Sequence, residues 1–130
     1  RVLKPGGVFA CATWCHRETK GAEPLSSAER TLLTRICKNY FLPEWVPLSM
    51  YVELVRELGM VEVRTADWTL AVLPFWPAVI RSALWPSSLV RLLFAGWSTI
   101  KGAITAVLMM QGFQRKLLVF GVIACRKPIR

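Results

Sequence analysis

Hydrophobic and polar positions fall along this chain in blocks of different period. The first apolar block, VFACATWC from Val8 to Cys15, is almost continuous and follows the turn formers Pro5, Gly6 and Gly7. A short apolar run without polar alternation is how a strand covered on both faces reads. A polar stretch, HRETKGAEPLS, then interrupts it. Ser26 and Glu29 have the spacing of a capping box, in which the serine side chain takes the Glu29 amide and the glutamate reaches back. Beyond it Ala28, Leu32, Leu33, Ile36, Cys37 and Tyr40 repeat at intervals of three and four, predicting a helix to about Tyr40 with one buried face.

Pro43 and Pro47 break the chain in LPEWVP. A second helix is expected from about Ser49, with Tyr51, Val52, Val55 and Leu58 inward and a stop at Gly59. In VEVRTADW the period changes to two: Val61, Val63 and Thr65 face inward and Glu62 and Arg64 outward, a strand with one solvated face. Leu117 to Cys125, LLVFGVIAC, is again continuous, a strand buried on both sides and closed by Arg126, Lys127 and Pro128. Strands at 8–15, 61–68 and 117–125 with helices between them predict an α/β sheet. The connection 69–116 is too long for a simple loop. Its helix-like apolar stretches, with Trp68, Trp76, Trp85 and Trp97, predict a helical cap over one edge of the sheet, lined with indole rings. Such rings fill helix-packing cores as often as they line ligand pockets.

Composition changes this picture in one respect. At 130 residues, 54% hydrophobic and 19% charged, with a mean hydropathy of +0.40, the chain carries more apolar surface than one soluble domain needs. Some of it is expected to face a partner, a lipid or further chain. The net charge of +9 is scattered, without a basic helix or a stripe of stacking aromatics, which argues against nucleic acid. An anionic membrane surface suits a basic, tryptophan-rich, apolar chain better, although any single charge reads most simply as a solvated end. The stretch from Ser87 to Gly112 carries Arg91 and Lys101 and is broken by Gly96 and Gly102, so it reads as lying on a membrane rather than crossing it. Cys11, Cys15, Cys37 and Cys125 read as buried, reduced thiols. Cys11, Cys15 and His16 lack the second ligand pair of a closed zinc site, so no metal is expected. The chain starts on a turn in mid-element, with no initiator methionine and no targeting segment, as a cut through a domain would leave it.

Leu3-Lys4-Pro5-Gly6-Gly7 before an apolar strand resembles the turn into the fifth strand of class I S-adenosylmethionine-dependent methyltransferases. TWCHR (Thr13 to Arg17), ADW (Ala66 to Trp68), PFWPAVIRSAL (Pro74 to Leu84), GWSTIKGA (Gly96 to Ala103) and ACRKP (Ala124 to Pro128), in that order, are more specific. Together they resemble the C-terminal half of the gamma-tocopherol O-methyltransferases and their relatives, over nearly the whole chain. The resemblance implies a doubly wound Rossmann-like sheet in which 8–15, 61–68 and 117–125 are the fifth, sixth and seventh strands, the seventh antiparallel between the other two. It also implies S-adenosylmethionine as donor, bound by a glycine-rich turn and an acidic residue that this chain lacks, so the chain alone is expected to be inactive.

The acceptor side is what remains. The resemblance places Thr13, Trp14 and His16 near a small lipophilic acceptor, a prenylated chromanol or quinol. His16 is the candidate general base or hydroxyl partner, and Trp68 and Trp76 are candidates for the pocket wall. A lone loop histidine, however, more often serves neither role. A plastid location, peripheral to the membrane, is likewise implied by the family. A relative methylating plant alkaloid nitrogen, or a non-enzymatic membrane-surface or interaction module, are the other readings.

Overall fold

The computed structural model describes residues 2–86, 88 and 96–129. In chain order these form β1 (Val8–His16), α1 (Ser27–Tyr40), α2 (Leu48–Glu57), β2 (Val61–Asp67), α3 (Thr69–Val72), α4 (Phe75–Ala83), α5 (Trp97–Gln114) and β3 (Leu118–Arg126). The sheet order is β1-β3-β2 and β3 runs antiparallel to both neighbours, as the resemblance implied. β1 and β3 pair without interruption from Val8 opposite Arg126 to His16 opposite Leu118. β2 slips register between Val61 and Arg64, where Glu62 adopts a left-handed φ of 52°.

The turn ahead of β1 requires its glycines. Gly6 sits at φ 72°, its N–H donates to the Lys127 carbonyl at 3.0 Å, and a Cβ on Gly7 would lie 2.9 Å from the Lys4 carbonyl oxygen. Arg126 and Lys127 return hydrogen bonds to the carbonyls of Gly6 and Leu3, so the two ends of the chain are stitched together.

α1 forms where its capping box predicted. The Glu29 N–H donates to Ser26 Oγ at 3.2 Å and the Ser26 N–H to Glu29 Oε2 at 2.8 Å. Leu32, Leu33, Ile36 and Cys37 are buried, but Ala28 is exposed because it precedes the part of α1 that meets α5. The two helices are joined by Asn39, which donates to the fully buried Thr105 hydroxyl at 2.9 Å. One apolar core results, built from α1, Trp45, Trp76 of α4, Ala106, Leu108, Met109 and Phe113 of α5, and Leu117 and Leu118.

Elsewhere burial is less than the patterns predicted. α2 buries none of its residues fully, Tyr51, Val52 and Val55 are half-buried, and Leu58 is exposed, because only one side of the helix rests on the sheet. In β2 only Val63 is even half-buried, since the strand is a bulged edge with one neighbour. β3 is central, but its burial alternates: Leu118, Gly121, Ile123 and Cys125 are buried while Val119, Phe120, Val122 and Ala124 are partly open. In β1 the first residues, Val8 to Ala10, are exposed and only Cys15 and His16 are buried.

The long connection contains α3, α4 and α5, and the tryptophans expected to line it divide: Trp76 is buried, whereas Trp68, Trp85 and Trp97 are mostly exposed. Part of the apolar stretch from Ser87 to Gly112 lies outside the described residues. Among those described, no helix is long and apolar enough to cross a membrane.

Candidate functional site

The C-terminal end of β1 is where the chain brings its chemistry together. Side chains of a strand alternate between faces, so Trp14 and His16 share one side and Thr13 points to the other. Trp14 lies at the centre of an aromatic nest. Its ring centroid is 4.5 Å from Phe120, its cross-strand partner, 5.9 Å from Phe113, 6.0 Å from Trp76 and 6.2 Å from Trp45, with which it stacks. Phe75 packs edge-on against Trp76 at 5.2 Å. Trp76 is 7% exposed and its Nε1–H has no hydrogen-bond partner among the described residues. A buried donor left without an acceptor costs about 1–3 kcal/mol, so this group is unsatisfied in an otherwise apolar nest.

His16 is buried beside the nest. Its Nδ1 lies 2.7 Å from the Arg17 carbonyl oxygen, and a carbonyl can only accept, so Nδ1 carries the proton of that bond. In the neutral ring Nε2 is then left with its lone pair free.

The loop after His16 is tied to both following helices. The Arg17 guanidinium grips Glu29 through Nε to Oε1 at 2.9 Å and Nη2 to Oε2 at 3.0 Å, and also donates to the carbonyls of Glu23 and Pro24. The Arg17 hydrogen bond, joined by the Ser26 N–H, holds the Glu29 carboxyl down at about 2. Glu18 accepts from the Ser49 amide at 3.0 Å and from its hydroxyl at 2.6 Å, at the start of α2. Lys20 pairs with Glu53 at 2.5 Å on the surface.

Between this loop, α1 and α2 opens a cleft of about 680 Å³, floored by Leu33, Cys37, Trp45, Pro47 and Met50 and bordered by His16. Clefts of a few hundred to about a thousand Å³ take small organic ligands. Trp45 belongs to both the cleft and the nest, and is the one nest ring that lines the cleft.

Of the residues singled out in the sequence, the structure joins Trp14 and Trp76 directly and sets His16 on the adjoining cleft. It does not join the other two. Thr13 lines a separate apolar groove of about 730 Å³ on the opposite face, with Phe9, Cys11, Tyr51, Leu54 and Leu58. Trp68 is about half exposed at the start of α3, where its backbone N–H donates to the Phe120 carbonyl at 2.9 Å. Conversely, Trp45, Phe113 and Phe120 are part of the nest and were not among the candidates. Trp45 sits between two prolines, where the sequence reads only as a chain break, and Phe120 becomes a neighbour of Trp14 only once the strand register is known.

No protein-family model matches the chain. Among the curated relatives that match it over nearly its whole length are two tocopherol O-methyltransferases. It is 46% identical over 129 residues to a probable chloroplastic tocopherol O-methyltransferase of Oryza sativa subsp. japonica, covering 98% of this chain and 36% of the relative. It is 44% identical over 130 residues to the chloroplastic tocopherol O-methyltransferase of Arabidopsis thaliana, covering 99% and 37%. The chain thus spans a little over a third of the length of the curated relatives it matches. Among solved structures it resembles phosphoethanolamine N-methyltransferase 2 of Haemonchus contortus in complex with S-adenosyl-L-methionine, with a TM-score of 0.70 at 16% identity over 98% of this chain and 28% of the other. That likeness is one of fold.

Proposed function

We propose that this homologue of the tocopherol O-methyltransferases supplies the acceptor side of a plastid methyltransferase that moves a methyl group from S-adenosylmethionine to a tocopherol-like chromanol or quinol. The observation that carries the reading is the 44–46% identity to tocopherol O-methyltransferases over 98–99% of the chain. Gly6 and Gly7 serve the turn into β1 and its bonds to Lys127, and among the described residues no strand passes through a glycine turn into a helix. These residues do not fit the donor.

What they do fit is an apolar acceptor with one polar group. In this reading an aromatic ring packs in the cleft against Trp45, which Trp14 and Trp76 hold in place from behind, and Leu33 and Met50 take an aliphatic tail. His16 Nε2 accepts the proton of the ring hydroxyl, leaving a phenolate whose charge makes both its oxygen and the ring carbons better nucleophiles. Fixing that ring in a dry site supplies the rest of the advantage through orientation. Residues 69–116 act as the cap on this site. With Trp68 ahead of them they carry Arg81, Arg91, Lys101, Arg115 and Lys116 and no acidic residue, and they expose Leu70, Phe75 and Trp85, which favours a peripheral contact with an anionic membrane.

The test is an assay of the complete protein with labelled S-adenosylmethionine, offering gamma-tocopherol and, separately, an indole alkaloid. Transfer to the chromanol is expected. Transfer to the alkaloid alone would move the chain to the nitrogen-methylating relatives, and turnover of neither would favour a non-enzymatic surface module.

A further inference from the structure

We propose that Arg17 is a positioning residue for His16: its anchored peptide holds the imidazole as the tautomer protonated at Nδ1 and so leaves the Nε2 lone pair for a hydroxyl in the cleft. The catalytic part of this rests on the acceptor reading above, whereas the tautomer itself does not.

An imidazole used as a base works only if the correct nitrogen is free, and that is set by what holds the other one. Here the partner is not a carboxylate but the next residue's own carbonyl, 2.7 Å from Nδ1. A backbone carbonyl can serve only if its peptide cannot rotate, and this peptide is fixed from both sides. On its N-terminal side the Arg17 N–H extends the sheet ladder to the Leu117 carbonyl at 2.8 Å. The guanidinium meanwhile makes the two-pronged bond to Glu29, and Glu29 is itself the second half of the α1 capping box. On its C-terminal side the Glu18 carboxylate is bound to the first turn of α2 through Ser49. The carbonyl that orients His16 is therefore suspended between α1 and α2, the two helices that wall the cleft. Planar, forked recognition of this kind is what arginine provides and lysine does not.

The charged groups that border the same cleft are Lys20, Arg30, Glu44 and Glu53, of which Lys20 and Glu53 are paired with each other. No carboxylate hydrogen-bonds the His16 ring among the described residues, so the Arg17 carbonyl is its orienting partner.

The experiment records long-range proton–nitrogen spectra of the imidazoles in the complete protein labelled on histidine, with the His16 signals assigned by their loss in His16→Gln. The unsubstituted protein is expected to show His16 protonated at Nδ1. In Arg17→Ala and in Glu29→Gln the signals should move toward a mixture with the Nε2-protonated form, and Arg17→Lys should restore the original pattern only weakly. In the same variants kcat for the chromanol should fall roughly tenfold to a hundredfold with KM changed less than about twofold, part of the hundredfold or more that a general base supplies. Should Arg17→Ala fail to fold, Glu29→Gln, whose amide offers one accepting oxygen in place of two, loosens the same anchor more gently and gives the same readout. A His16 protonated at Nε2 in the unsubstituted protein, or one whose Nδ1 form persists in both variants, would overturn the inference. A tautomer that shifts as expected in a protein that turns over no chromanol would uphold the positioning and sink the acceptor reading alone.

Discussion

The two halves of β1 pair with the same strand in one unbroken register, yet one is open and the other closed. Val8, Phe9 and Ala10 face Arg126, Cys125 and Ala124 and remain exposed, while Cys15 and His16, opposite Val119 and Leu118, are buried. Hydrogen bonding to β3 is equal along the ladder, so it does not decide burial. The layer laid over each half does: on the face of Trp14 and His16 the aromatic nest, Trp45 and the core from α1, α4 and α5 gather at that end, no residue from 8–12 joins that core, and Cys15 is buried on the opposite face, outside it. The closed end is also the one with the free histidine nitrogen and the cleft, so the part of the strand that this chain packs by itself is the part that can hold a ligand in fixed geometry.

The largest expected effect separates the two halves directly. Leu118 is 1% exposed and Val8 is 57% exposed, at opposite ends of the same ladder. In denaturant unfolding of the complete protein Leu118→Ala should cost about 2–5 kcal/mol, the range for truncating a buried leucine, and Val8→Ala no more than about 0.5 kcal/mol. Equal losses would mean that the rest of the protein buries the Val8 end, and the contrast would belong to this chain rather than to the whole molecule.

A smaller effect repeats the comparison within one helix. A Cβ on Gly112, near the closed end of α5, would lie 2.6 Å from Leu118 Cγ and 2.7 Å from its Cδ1, whereas a Cβ on Gly102 meets nothing within 4 Å. Both glycines weaken the helix by about 0.5–1 kcal/mol relative to alanine. Gly102→Ala should therefore stabilise by about that amount. Gly112→Ala should gain the same propensity but lose about 1–3 kcal/mol to overpacking, and so destabilise on balance. The sign of the two shifts in melting temperature is the readout, and a stabilising Gly112→Ala would show that Leu118 has room to move.

How far the sequence revealed this arrangement depends on the range of the interactions involved. The α1 capping box was legible because Ser26 and Glu29 are three residues apart and their pairing depends on nothing distant. The apolar runs of β1 and β3 were legible as strands, and the antiparallel place of β3 followed from family resemblance. Their burial was not, since a run of apolar residues reports what a strand can tolerate and not what covers it. Thr13 illustrates a different shortfall. The resemblance grouped it with Trp14, but strand alternation alone puts neighbours on opposite faces, and the structure has Thr13 lining the other groove. Trp45 and Phe120 entered the nest through contacts distant in sequence, which no local pattern encodes.

The finest test of the comparison uses two thiols on the same face of β1. Cys11 is half-buried in the open groove beside Phe9 and Leu54, and Cys15 is completely buried at the closed end. Burial pushes the Cys15 thiol up to about 11, against the lowering effect of its hydrogen bond with the Gly121 backbone. With a pKa near 11, only about one Cys15 in a thousand is thiolate at pH 8, and the thiolate is the form that reacts. Cys15 should therefore be alkylated by iodoacetamide only through opening of the closed end, at a rate that rises with denaturant, while Cys11 reacts without it. Peptide mass spectrometry of the complete protein distinguishes the cases. Cys15 labelled as fast as Cys11 would show that the closed end is not closed, and protection of both would show that the rest of the protein fills the groove, leaving the aromatic end distinguished by its chemistry and no longer by its burial.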